Sequence, residues 1–214
     1  MTLRVLFCIT TMLAAWLGTV PMAAAASPCP KPRYPSESLR NREEGISLLG
    51  FLIRADGSVG RAVLFNSSGY AALDRAAQEA LAQCHYQPAI IDGKPADKWI
   101  QVAYLWFPDD DRAMTRARRR TASAVEQGDV PARYHLSLLL THTTKGDAER
   151  TLARDLLASA AALGQPHAQF EMGRRCEKGS GVEADLDEAL RWYRKAADQG
   201  DVFAIQRLDT GALP

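Results

Sequence analysis

Glycine recurs at positions 128, 164 and 200, each 36 residues from the next, and its surroundings recur with it. Ala124, Ala160 and Ala196 stand four residues before each glycine, Ala132, Ala168 and Ala204 four after, and Leu136, Met172 and Leu208 eight after. Few folds allow that period. It describes a helix–turn–helix unit stacked on copies of itself, with glycine ending one helix and alanine letting the next approach closely. About two units and a terminal half-unit fit between 128 and 214, fewer than the three usually needed to bury a continuous core. Something else in the chain must cap them. Asp109, Asp110 and Asp111 can open a helix that runs to Gln127, over 109–127, and supply that cap.

Upstream of residue 109 the pattern changes from helical to extended. The run WIQVAYLWF at 99–107 has no glycine, proline or charge, is rich in aromatic and β-branched residues, and is stopped by Pro108. That composition predicts a strand. Ile100, Val102, Tyr104 and Trp106 would line one face, and Trp99, Gln101, Ala103, Leu105 and Phe107 the other. Residues 46–53 and 58–65 flank Arg54, Ala55, Asp56 and Gly57 and read as a hairpin, with a bulge expected at Gly60. Ser36 would cap a short helix ended by Gly45, and Leu73, Ala76, Ala77, Ala80, Leu81 and Cys84 share one face of a longer helix. Residues 91–95 read as a loop. A right-handed crossover from the second long strand lays the third beside the first, at the border of the sheet. If Leu49, Phe51 and Ile53 face the helix, Ile46, Leu48 and Leu52 face away, and the repeats are the expected cover for that second face.

These short signals stand together in a recognisable order. Tyr34 and Pro35, Glu44 and Gly45, Asp56 to Val59, Ser67 to Gly69, Leu73 and Asp74, Tyr86 to Ala89, Gly93 to Pro95 and Trp99 resemble the TonB carboxy-terminal domain over about residues 29–108. The resemblance implies a periplasmic domain of a Gram-negative bacterium whose last strand pairs with a short segment of an outer-membrane transporter. It implicates Tyr34, Pro35, Trp99, Ile100, Gln101, Val102, Ala103, Tyr104 and Leu105 as partner-binding residues. Family members that transmit proton-motive energy carry an intramembrane histidine and a long proline-rich spacer. Here residues 1–26 contain no histidine, and the proline-rich piece from Ser27 to Pro35 reaches only about 28 Å at the polyproline rise. In the second half, Gly164 to Gly173, Gly179 to Asp185, Trp192, Tyr193 and Ala196 to Gly200 resemble the SEL-one-like repeat, a relative of the tetratricopeptide repeats that serves as an interaction scaffold. Residues 141–146 replace the glycine-rich turn of the first unit, whose match is weaker.

The amino terminus reads as an address. An apolar run over 5–20 leads to small residues suited to cleavage after Ala26, so a signal peptide is expected at 1–26, with an uncleaved inner-membrane anchor as the competing reading. Export exposes Cys29, Cys84 and Cys176 to an oxidising compartment. Sequence leaves their connectivity open. A bond between Cys29 and Cys84 is expected, since it would close a loop of about 55 residues, worth about 4 kcal/mol in the chain-entropy model, leaving Cys176 as a small apolar residue.

With 26 basic and 25 acidic residues the net charge is +1, which provides no field for nucleic acid. The local excess Arg116, Arg118, Arg119 and Arg120 reads as a solvated helix face. His85, His135, His142 and His167 are scattered and read as surface or capping residues, with no metal-ligand spacing. No nucleophile elbow, phosphate loop or paired-cysteine motif occurs, and neither enzyme activity nor a cofactor is expected. The sequence therefore predicts an α+β domain at 27–108, with a three-stranded antiparallel sheet and helices, then a connecting helix at 109–127 and an all-α array of αα-hairpin repeats at 128–214. The expected partner is an extended segment of an outer-membrane transporter or other envelope protein, added at the border strand. A second copy pairing edge to edge is the alternative guest, and a repeat scaffold with a purely structural sheet is the alternative function.

Overall fold

The computed structural model describes residues 29–108, 112–144 and 146–210. The signal segment expected at 1–26 and the acidic run at 109–111 lie outside the described residues. Among the described residues no helix is long and apolar enough to cross a membrane.

The first domain opens with α1 (Ser36–Arg40), which leads by a short turn into β1 (Gly45–Ile53). The helix stops earlier than expected. Arg42 takes a positive φ of 52°, which breaks the helical path before Gly45, and Pro35 rather than Ser36 stands at the cap position. β1 turns through Gly57 into β2 (Val59–Asn66), and Asp56 accepts from the Ser58 amide at 2.9 Å to fix the turn. Leu52 pairs with Arg61 and Ile53 with Val59, so Gly60 is the extra residue of the expected bulge. α2 (Ala71–Ala82) crosses the sheet, and Cys84 just beyond it forms a disulfide with Cys29. Residues 91–95 are not a plain loop. β3 (Ala89–Ile91) and β4 (Lys94–Ala96) form a small hairpin whose turn, Asp92 and Gly93, has positive φ at both positions. Three-residue strands give no readable period, and the Asp-Gly pair alone does not distinguish a hairpin from a loop. β5 (Lys98–Trp106) then pairs antiparallel with β1, giving the order β2-β1-β5.

The two faces of the sheet are covered by different parts of the chain. Leu49, Phe51 and Ile53 pack with Leu73, Ala77 and Leu81 of α2. Ile46 and Leu48, both fully buried, pack into the repeats. The repeats comprise α3 (Ala113–Glu126), α4 (Val130–Thr143), α5 (Asp147–Ala162), α6 (Pro166–Lys178), α7 (Leu186–Asp198) and α8 (Val202–Asp209). The recurring glycines end α3, α5 and α7 with φ of 88°, 94° and 84°, a conformation that costs any residue with a Cβ. Asp129, Gln165 and Asp201 follow at the same spacing, and each accepts from the amide three residues on. The 36-residue period is thus a repeated stop and start signal.

The junction of sheet and repeats is one continuous core. Ile46 and Leu48 share it with Tyr134, Leu138, Leu139 and Leu157. Gly50 leaves room on the same face: a Cβ there would sit 2.3 Å from the Phe65 ring, so Phe65 leans over it and stacks on His167 with ring centres 4.1 Å apart. His167 is 1% exposed and bonds through Nδ1 to the Asp201 carboxylate at 2.7 Å. His135 is also buried, its Nδ1 being 2.7 Å from the Ser67 carbonyl. The surface reading of these two histidines is therefore corrected: both lock repeat helices onto the sheet. The arginine run on α3 is corrected too. Arg116 pairs with the buried Glu44, Arg120 lies over the Tyr70 ring, and Arg118 holds the end of α4 through Thr143, leaving Arg119 exposed.

Candidate functional site

β5 has β1 on one flank and, among the described residues, no strand on the other. The backbone hydrogen bonds found outside the regular ladders and helices do not involve residues 98–106. Among the described residues nothing therefore claims its outer row of amides and carbonyls. Two devices that commonly blunt such an edge are missing here: the strand is nine residues long and carries one charge, Lys98, at its start.

The side chains around that edge divide by face. Ile100, Val102 and Tyr104 join the core under α2, so their backbone and not their side chains can meet a partner. Ala103 packs toward the repeats, Trp99 lies 6.3 Å from Phe203, and Gln101 and Leu105 are exposed. Tyr34 meets Trp106 edge-on with ring centres 5.3 Å apart, and its hydroxyl donates to the Glu43 carbonyl. Burial, reinforced by Glu44 and Glu43, pushes the Tyr34 pKa up to about 12, so it remains a donor at any physiological pH. Pro35 stands at the start of α1. Tyr104 donates to the Pro32 carbonyl at 3.4 Å, which lays the proline-rich segment across the end of β5. Tyr34 is thus gathered to the carboxyl end of the strand as packing, while Trp99 and Gln101 mark its other half.

Sequence reasoning missed what lies beside that half. A groove of about 1100 Å³ runs between β5 and the inner helices of the repeats. Trp99, Gln101 and Ala103 line it on one side, Tyr134 and Leu138 of α4, Arg174 and Arg175 of α6 and Arg207 of α8 on the other. The i, i+4 spacing of Tyr134 with Leu138 and of Phe170 with Arg174 marks the inner faces of α4 and α6. Only the packing of sheet on repeats reveals that these faces look onto β5. His142 also lines the groove, and burial pulls its pKa down, so it is neutral at pH 7. Among the described residues no group of three or more His, Cys, Asp or Glu is arranged to hold a metal ion.

Residues 30–106 match the family model of the Gram-negative bacterial TonB protein C-terminal domain, and residues 166–201 that of the Sel1 repeat. The chain thus joins a region that matches the TonB carboxy-terminal family to one that matches the Sel1 repeat. Both matches are to families of interaction domains. The chain is 38% identical over 58 residues to Protein TonB of Neisseria gonorrhoeae, a match covering 27% of this chain and 20% of that protein. It is 31% identical over 103 residues to DAP3-binding cell death enhancer 1 of Mus musculus, covering 48% and 19%. The chain therefore spans about a fifth of the length of these curated relatives. The solution structure of the Pseudomonas aeruginosa TonB carboxy-terminal domain is similar at 20% identity, covering 41% of this chain and 89% of that one with a TM-score of 0.36.

Proposed function

We propose that the chain is a periplasmic, non-enzymatic adaptor that takes up an extended segment of an outer-membrane transporter as a fourth strand at β5, in support of TonB-dependent transport. The observation that carries this reading is the unclaimed backbone edge of β5 in a domain of the TonB carboxy-terminal family. Strand addition draws its affinity from main-chain hydrogen bonds, which any extended peptide can supply, and its selectivity from alternate side chains. Here one set of alternate positions meets Trp99, Gln101 and Ala103, and the other the partly buried row of Ile100, Val102 and Tyr104. The disulfide between Cys29 and Cys84 supports an oxidising compartment, as the expected cleavage after Ala26 does.

The Sel1 repeats hold the sheet from behind and leave the helix faces turned away from it as a second docking surface. One observation favours a rival reading in which the sheet is only structural: its second face is spent on the repeats, through Ile46 and Leu48. A photoreactive amino acid at Gln101, compared with one at the exposed Arg194 on α7, separates the two in intact Gram-negative cells. Strand addition gives crosslinks from Gln101 to an extended periplasmic segment of an outer-membrane protein. Crosslinks from Arg194 alone support the scaffold reading and overturn strand addition.

A further inference from the structure

We infer that the groove beside β5 accepts acidic side chains of the peptide added there, through Arg175 and Tyr134, so that the Sel1 repeats act as the specificity wall of the TonB-type edge. This rests on the strand-addition reading and adds to it the chemistry of the guest. A strand paired with β5 lies about 4.8 Å beyond it, and its side chains alternate between the two faces of the sheet. Those sharing a face with Trp99, Gln101 and Ala103 enter the groove of about 1100 Å³ walled by α4, α6 and α8.

The charge left over in that groove is positive. Glu171 is held by Arg174 at 2.7 Å, and Glu177 is held by Arg207 and by the Tyr193 hydroxyl. Three further cations line the groove, Arg175, Lys98 and Lys178, against one further carboxylate among the described residues, Asp92. Arg175 is half-buried, and among the described residues its guanidinium has no hydrogen-bond or salt-bridge partner. Burial pulls its pKa down while Glu171 opposes that, and a guanidinium keeps its charge against such a shift. Tyr134 is 1% exposed, and its hydroxyl also has no partner. Burial, with Glu171 and Asp201 adding to it, lifts the Tyr134 pKa well above its ordinary value, so the phenol remains a donor. A buried donor and a half-buried guanidinium on one groove wall both lack an acceptor. A carboxylate supplies one to each, bidentately to the guanidinium, whereas an amide offers a single neutral oxygen and an ammonium is repelled.

Three nine-residue fluorescent peptides test this on the full mature chain by anisotropy. All carry β-branched residues at odd positions, with Glu, Gln or Lys at even ones. The Glu peptide is expected to bind about tenfold more tightly than the Gln peptide, with the Lys peptide weakest. Methylating its backbone nitrogens in the register that faces β5 should abolish binding. Arg175→Gln should bring the Glu and Gln peptides together, with a circular dichroism spectrum and urea midpoint equal to the parent's showing that the variant is folded. Arg175→Glu should raise the affinity of the Lys peptide. Equal binding of Glu and Gln peptides, both lost on N-methylation, overturns the acidic groove and leaves strand addition standing. Binding of the Glu peptide that survives N-methylation in both registers, or no binding of any peptide, overturns strand addition and this inference with it.

Discussion

Asp74 shows how single side chains set the position of the edge. Its carboxylate, 5% exposed, accepts from the Ser47 hydroxyl at 2.6 Å, the Ser68 amide at 2.8 Å and the Ser67 hydroxyl, joining β1, the 67–70 loop and α2. Ser47 in turn accepts from the Trp106 indole at 3.0 Å, at the end of β5. Removing the acceptor leaves two buried donors, the Ser47 hydroxyl and the Ser68 amide, unsatisfied while the exposed Ser67 turns to water, so Asp74→Ala is expected to lower stability by about 2–3 kcal/mol and Asp74→Asn by less, measured as the shift in urea midpoint. His135 gives a pH signature. Burial holds its pKa below the ordinary value, so the unfolded chain takes up the proton first as pH falls. Its contribution is complete above about pH 6.5, the ordinary histidine value, and declines as pH drops below it. Urea melts at pH 7.5 and 5.5 should show the loss in the parent and a smaller one in His135→Gln. Neither buried histidine was legible from the sequence, because a lone histidine looks the same on a surface and in a junction until its neighbours from another domain are known.

At the scale of elements, helix α3 is both cap and clasp. Arg116 reaches Glu44, whose side chain is fully buried at the start of β1, and removing the arginine strands a buried carboxylate. Arg116→Met is expected to cost about 2–3 kcal/mol, reduced from the buried-pair range because Arg116 is partly exposed. The double replacement with Glu44→Leu should recover part of it, and a double-mutant cycle in urea measures the coupling. The elements of the first domain were legible where apolar, β-branched and aromatic runs were long and bounded by turn residues, as in β1, β2 and β5, and the crossover rule alone gave the strand order. The arginine run was misread as solvated because periodicity reports which residues share a face and not what that face meets. The β3–β4 hairpin was missed for want of length, though its Asp-Gly turn was in view.

The whole molecule behaves as two families sharing one core. Ile46 and Leu48 lie in the same cluster as Leu139, Leu157 and Ala160, so neither part can be removed without exposing the other. Each such side chain is worth about 1.5–3 kcal/mol on burial. Hydrogen exchange on residues 27–108 made alone is expected to lose protection in β1 relative to the full chain, and equal protection would mean that the repeats are passengers. The alternation of β1 makes this cover legible in the sequence, since Ile46 and Leu48 face away from α2 and call for a second layer. The groove was not legible. It arises from the angle at which two separately recognisable folds meet, and neither sequence pattern encodes the other's surface.

Amide exchange along β5 in the free, full-length protein, resolved residue by residue by NMR, bears most directly on the open edge. Every second amide between 98 and 106 should exchange fast and its neighbours, bonded to β1, slowly, with the fast set slowing when an extended peptide is added. Uniform slow exchange along the strand before any peptide is present would mean that the edge is already sealed, and would contradict the account.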